Sequence, residues 1–134
     1  MRSCLKPYRP LVTESSTESA SVVARALATR AAAGETVDRE SLRDVVRVLL
    51  ARLRERAPGR SVEVRVPPYG AVQCVAGPRH TRGTPPNVVE MDPVTFLLLA
   101  VGSLSFADAV AAGRVSASGV RADLTHHLPL VPPA

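Results

Sequence analysis

The chain has 134 residues, enough for one domain with a sizeable core. Hydrophobic residues make up 46% and charged residues 22%, which excludes wholesale disorder, and the aromatic share of 3% leaves valine, leucine and alanine to build the core. The net charge of +5 belongs to residues 1–60, which hold 12 basic and 7 acidic residues, whereas residues 61–134 hold 5 of each.

Three features of the sequence bear on the compartment. The longest apolar run, Phe96 to Val101, is far shorter than the roughly 20 residues of a membrane-spanning helix. The basic start has no continuous apolar stretch of the kind found in signal peptides. Cys4 and Cys74 are too few for a disulfide framework or a four-ligand zinc site. We therefore expect a cytoplasmic protein with no integral membrane segment.

The N-terminal half predicts two helices. Residues 1–20 are polar, small and aperiodic, so we expect a mobile N-terminal segment followed by a single domain over residues 21–134. Strong helix formers over residues 20–33 predict a first helix that ends at Gly34. Asp38 is a suitable cap for a second, amphipathic helix, which ends at Pro58-Gly59.

The central part changes from a helical to a strand pattern. Residues 61–66 alternate strictly between apolar and polar, which predicts a half-buried strand. The turn Pro67-Pro68-Tyr69-Gly70 leads to a second strand over residues 71–76. A ten-residue loop without apolar residues, 77–86, separates it from a third short strand over residues 87–91.

The C-terminal part predicts two short helices and a strand. Asp92-Pro93 starts a helix that ends at Gly102, and Ser105 starts another that ends at Gly113. Residues 114–118 alternate as a strand, and a helical turn is expected near Asp123. This order predicts an α+β fold with helices packed on one face of a largely antiparallel sheet.

The helix over residues 93–101 is apolar on two sides. Val94, Leu97, Leu98 and Val101 form one stripe at helical spacing, and Phe96, Leu99 and Ala100 add a second side. One side is expected to cover the sheet, and the other to line a cavity with Phe106 and Val110. The alternative is that both sides pack in an ordinary core.

The loop Arg79-His80-Thr81-Arg82 concentrates hydrogen-bond donors between glycines and prolines. Its guanidinium groups are suited to an anion or an acidic headgroup. It lacks the pattern of a Walker loop. The alternative is a solvated loop whose arginines pair with Glu63, Glu90 or Asp92.

Catalysis, metal binding and nucleic-acid binding find little support in the sequence. There is no serine-hydrolase or zinc-protease motif, and adjacent His126 and His127 diverge too far on a helix to chelate a metal. Cys74 is expected to be a small buried residue. The arginines of the second helix alternate with acidic residues and lack aromatic neighbours for base stacking. We expect no catalytic residues, metal, cofactor or nucleic-acid partner.

From Val62 to Leu130 the chain resembles the bacterial branch of the sterol carrier protein family. The residues that carry the resemblance are Arg65–Cys74, Gly77–Glu90, Asp92-Pro93 and Gly113–Gly119. The resemblance implies helices layered over a curved, mostly antiparallel sheet that encloses an apolar tunnel. It also implies non-enzymatic binding of sterols, fatty acids or acyl compounds. The chain has few aromatic residues for such a tunnel, and it ends in Pro-Pro-Ala rather than in a peroxisomal signal.

The leading hypothesis is therefore a small protein that binds an apolar or amphipathic ligand between helices and sheet. An acidic headgroup would meet Arg79, His80 and Arg82. Two alternatives stay open: a protein–protein interaction module with a filled core, and an accessory domain of an enzyme. The candidate lining residues are Met91, Val94, Phe96, Leu99, Phe106 and Val110.

Overall fold

Two long helices form the N-terminal half, α1 at Glu14–Ala32 and α2 at Arg39–Arg56. The computed structural model describes residues 14–78 and 86–133. The predicted second helix is confirmed. The first begins at Glu14 rather than at residue 20, because acidic residues in its opening turns suit the positive end of the helix dipole. The expected mobility of residues 1–20 stays a prediction, and residues 1–13 lie outside the described part.

Local chemistry sets the start of α2. The Asp38 carboxylate accepts hydrogen bonds from the backbone N–H and the hydroxyl of Ser41, at 2.9 and 2.8 Å. Six apolar residues at helical spacing, from Leu42 to Leu53, are all buried. None of the described helices is both long and apolar enough to cross a bilayer.

Four strands of the described chain form one sheet, in the order β2-β1-β3-β4. The pairs β1–β2 and β3–β4 are antiparallel, and β1–β3 is parallel. The parallel pair arises because the chain leaves β2 at one edge, passes β1 and enters β3 in the direction of β1. The predicted, largely antiparallel α+β fold is confirmed. The bounds are β1 Val62–Val66, β2 Gly70–Cys74, β3 Val88–Met91 and β4 Val115–Ser118.

Two helices connect β3 to β4, namely α3 at Pro93–Val101 and α4 at Phe106–Ala111. The predicted caps are confirmed, since Asp92 accepts from the Thr95 N–H and Ser105 accepts from the Asp108 N–H, both at 3.1 Å. Gly102 ends α3 in the left-handed conformation, with φ 84°. A 3₁₀ turn at Thr125–His127 follows β4.

The helices pack on each other and on the sheet around one core. α2 contacts both β2 and α3, α1 contacts α2 and α3, and α4 contacts β4. On β1, Val62, Val64 and Val66 are buried, while Glu63 and Arg65 are only partly buried. The layer of helices therefore covers the valine side of the sheet, as the alternating pattern predicts.

Asn87 links three separate segments at one end of the sheet. Its amide nitrogen donates to the carbonyl of Ser61 at 2.8 Å, and its carbonyl accepts from the backbone N–H of Arg121 at 3.0 Å. Gly119 has φ 105°, and a Cβ there would lie 2.3 Å from the Asn87 Oδ1 atom. The close approach therefore requires glycine at this position.

The C-terminal tail, residues 128–132, docks against the helices. The backbone N–H groups of Leu130 and Val131 both donate to the carbonyl of Ala100, at 2.8 and 2.9 Å, and both side chains are buried. Three arginines of α1 and α2 donate to tail carbonyls: Arg25 to Pro132 at 2.8 Å, Arg52 to Leu130 at 3.2 Å, and Arg56 to Pro129. The tail is thus part of the domain's core.

Candidate functional site

Helix α3 lies at the centre of the candidate site. Six consecutive residues, Thr95 to Ala100, are buried, so the helix contacts other parts of the protein around its whole circumference. A polar network fixes its start, since the Thr95 hydroxyl donates to Asp92 and accepts from the Arg114 Nε at 3.1 Å. This network holds the apolar residues of α3 in a defined orientation within the core.

The structure brings most of the predicted lining residues together. Met91, Phe96, Leu99 and Phe106 belong to one apolar cluster, and Val94 packs at its margin. Val110 is the exception, because 40% of its surface is exposed on the short helix α4. Five of the six residues therefore lie in the core or at its margin, and Val110 lies at the surface. Their role in lining a ligand cavity stays a prediction.

The second apolar side of α3 packs against helices and against the tail, which the sequence pattern does not reveal. Helix α3 contacts α1 and α2. The tail adds Leu130 and Val131, both about 1% exposed, through their bonds to Ala100. Sequence reasoning missed these tail residues, although an apolar pair inside a proline-rich segment was the available signal.

The proposed headgroup residues Arg79, His80 and Arg82 lie outside the described residues. Two of the carboxylates named as their alternative partners lie beside Arg65 instead, with Glu63 at 2.7 Å and Glu90 at 3.9 Å. Arg65 donates a hydrogen bond to the Glu63 carboxylate, and this bond, together with the negative charge of Glu63, raises the pKa of Arg65. Arg65 is therefore the cation that pairs with both Glu63 and Glu90 on the surface of the sheet.

Cys74 is confirmed as a buried residue of β2, with none of its surface exposed. Burial raises the pKa of its thiol to about 11, so the reactive thiolate is scarce at neutral pH. Its position, opposite Val62 in the sheet, gives it a packing role.

Among the residues that the structure describes, three of the surface grooves lie away from the predicted lining residues. The largest, about 590 Å³, lies between α2 and β2 and includes Arg54, Arg60 and Gln73. A second, about 550 Å³, surrounds the start of α2 near Tyr69. A third, about 280 Å³, lies between α1 and α2 and includes Val23 and Val48. None of the three opens onto Phe96 or Leu99.

The chain matches the model of a known protein family. A family described as bacterial SCP ortholog, where SCP stands for sterol carrier protein, matches residues 38–130, well over half of the chain. The matched region runs from the cap of α2 to the docked tail and includes the whole sheet. No curated protein shows significant similarity to the chain.

Proposed function

The chain belongs to the bacterial sterol carrier protein family, and from this premise we propose that it binds an apolar or amphipathic ligand between its helices and its sheet. The ligand class is a lipid, a fatty acid or an acyl compound. The protein would bind or carry it in the cytoplasm without catalysing a reaction. The observation that carries this proposal is the match of residues 38–130 to this family.

The apolar surface of α3 would supply the binding energy. Burial of apolar area stabilises a complex by about 25 cal/mol per Å², less the cost of association. Met91, Phe96, Leu99 and Phe106 would contact the chain of the ligand in the interior. Val94 and the exposed Val110 would form the entry, because they are the outermost of the six residues. Arg79, His80 and Arg82 would hold an acidic headgroup.

A specific observation also favours the alternative of an interaction module with a filled core. Phe96 and Leu99 are almost wholly buried by other residues of the protein, at 0% and 1% exposure. In a filled core the same residues stabilise the fold and do not bind a ligand. A ligand has to displace or separate these side chains, so the two functions make opposite predictions for uptake.

Native mass spectrometry of freshly purified protein tests the proposal, together with solvent extraction. A resolved adduct that extraction identifies as a lipid or acyl compound supports carriage and names the ligand class. A ligand-free mass, with no later uptake of a fluorescent fatty acid, contradicts it and favours the interaction module.

The variant Val110→Glu tests the entry without disturbing the interior. The side chain is 40% exposed, so a carboxylate there is solvated and the fold is retained, while an apolar ligand meets a charge at the entry. We expect fatty-acid uptake to fall by about tenfold, which corresponds to about 1.4 kcal/mol. Val120→Glu is the matched control, because Val120 is 99% exposed and is not one of the six candidate lining residues. Equal uptake by both variants contradicts an entry at Val110.

A further inference from the structure

Strand β2 is an outermost strand of the described sheet, and its outer edge carries unpaired backbone groups. The Glu63 N–H donates to the Asn87 carbonyl at 3.0 Å, so the backbone groups of Glu63 point toward β3. Those of Val64 therefore point toward β2, where Val64 pairs with Val72. By the same alternation, the backbone groups of Ala71 and Gln73 point away from the sheet.

The same edge forms one wall of the groove of about 590 Å³ between α2 and β2, which we call the basic edge groove. Nothing in the described part of the chain forms a backbone hydrogen bond with the outward groups of Ala71 and Gln73. Its lining residues are Arg54, Pro58, Gly59, Arg60, Ala71, Val72 and Gln73.

The charge of the basic edge groove is one-sided. Its lining contains two arginines and no carboxylate. Arg60 donates from Nε to the Gln73 side chain at 3.0 Å, which holds its guanidinium beside the strand edge. At the other end of the strand, Arg47 donates to the Tyr69 carbonyl at 3.2 Å.

These arginines differ from the paired ones elsewhere on the surface. Arg43 lies 3.1 Å from Asp44, and Arg65 lies 2.7 Å from Glu63. Over residues 14–78 and 86–133, neither Arg47, Arg54 nor Arg60 has a carboxylate within 4 Å. Since Glu63 is engaged by Arg65, the groove keeps positive charge that an external partner can neutralise.

We propose that the basic edge groove binds an extended acidic peptide segment, which adds to the sheet as a further strand beside β2. The backbone of the peptide would pair with Ala71 and Gln73, and its carboxylates would meet Arg54 and Arg60. The strand rise of about 3.3 Å per residue means that the five residues of β2 match a peptide of about the same length. This surface lies apart from α3 and does not depend on ligand carriage.

Other occupants fit the groove less well. A second copy paired through β2 would bring two sets of arginines together, and like charges across strands destabilise pairing. A small anion would satisfy the guanidinium groups and leave the strand edge unpaired. A nucleic acid would find no aromatic side chain in the lining for base stacking.

Fluorescence anisotropy with three labelled hexapeptides tests the proposal on the full chain. The first alternates valine and aspartate, the second has lysine in place of aspartate, and the third is the acidic peptide with alternate backbone nitrogens methylated. We expect only the first to bind. Its affinity should fall by about tenfold between about 50 and 500 mM salt, because the charges are exposed.

Matched variants locate the binding. The double variant Arg54→Glu with Arg60→Glu should weaken binding of the acidic peptide by more than about tenfold. Arg39→Glu, an exposed arginine outside the groove, should change it by less than about twofold. Ala71→Pro removes one outward N–H and keeps the charges, so it should also abolish binding. The variant should still fold, because edge strands accept proline. Thermal melts confirm that each variant is folded.

Three results would overturn the proposal. The first is no binding of the acidic peptide at about 1 mM, which corresponds to less than about 4 kcal/mol. The second is equal binding of the methylated peptide, which would reduce the groove to a site for anions alone. The third is tighter binding of a labelled single-stranded oligonucleotide. Failure of fatty-acid uptake leaves this proposal standing, because the two sites share no residue.

Discussion

Asn87 shows how one buried side chain holds distant parts of the chain together. It is 6% exposed, and both ends of its amide are hydrogen-bonded to backbone groups, one of Ser61 and one of Arg121. Without Asn87, the carbonyl of buried Ser61 and the backbone N–H of Arg121 would both lose this hydrogen-bond partner. Asn87 therefore contributes mainly by avoiding unsatisfied polar groups.

Replacement of Asn87 by alanine should destabilise the protein by about 2–4 kcal/mol, since two backbone groups lose their partner. Urea denaturation followed by circular dichroism measures this change. Ser116→Ala on the exposed part of β4 is the control and should change stability by less than about 0.5 kcal/mol. An Asn87→Ala variant as stable as the control would show that water replaces both bonds.

Cys74 should be unreactive until the protein unfolds. Burial raises the pKa of its thiol from 9.0 to about 11, which lowers the thiolate fraction by about a hundredfold at neutral pH, and the side chain has no exposed surface. In a Cys4→Ser background, Ellman's reagent should titrate no thiol in the native protein and one in guanidinium chloride. Rapid reaction of the native protein would contradict the burial of this residue.

At the level of elements, helix boundaries were the most predictable feature. The ends of α3 follow from Asp92, Pro93 and Gly102, whose effects act over four residues or fewer. The start of α1 lies six residues before the predicted one, because the polar first turns of this helix have no apolar periodicity that would indicate a helix. The partners of α3 were not predictable, since a helix that is apolar all round indicates burial without indicating against what.

The cap of α2 should make part of the stability depend on pH. Hydrogen bonds from Ser41 lower the pKa of Asp38 in the folded protein. The stability that the cap contributes is therefore fully present above the unfolded pKa of about 3.9 and is lost as the pH falls through the lower folded pKa. The Asp38→Asn variant keeps a capping side chain that does not titrate in this range. Its melting temperature should therefore fall less than that of the wild type between about pH 4 and pH 2.

Thermal melts at matched ionic strength measure this difference. Near pH 7 the two proteins should have similar melting temperatures, because asparagine and aspartate are comparable caps. Parallel losses of stability below about pH 4 would mean that the Asp38 carboxylate does not contribute.

For the molecule as a whole, the features that could not be predicted from the sequence are those that depend on contacts between distant segments of the chain. The alternation of residues 61–66 predicted β1, but the placement of β3 beside β1 in parallel depends on a crossover between distant segments. The arrangement of the candidate site also depends in part on contacts between distant segments. The burial of Phe96 and Leu99 followed from their number and spacing, whereas the exposure of Val110 depends on how the six-residue helix α4 lies on β4.

Removal of residues 128–134 should destabilise the whole domain. The deletion exposes the site of two buried side chains, Leu130 and Val131, and burial of such a side chain is worth about 1.5–3 kcal/mol. The expected loss is about 3–6 kcal/mol, a large share of the stability of a domain of this size. Urea denaturation measures it.

The matched control for this deletion removes only residues 133–134 and keeps every tail contact described above, so it should leave stability nearly unchanged. Equal stability of the long and short deletions would mean that the tail adds nothing to the core.

The docked tail also determines the order in which parts of the protein can fold during synthesis. A ribosome makes α1, α2 and the sheet before it makes Leu130 and Val131, yet those helices meet the tail at Arg25, Arg52 and the Ala100 carbonyl. Synthesis proceeds at about 5–20 residues per second, so each nascent chain spends seconds with its helices made and their core open. The fold is therefore completed only after Leu130 and Val131 have been made, and the growing chain passes through a stage in which its apolar interior is accessible from the side that the tail later covers.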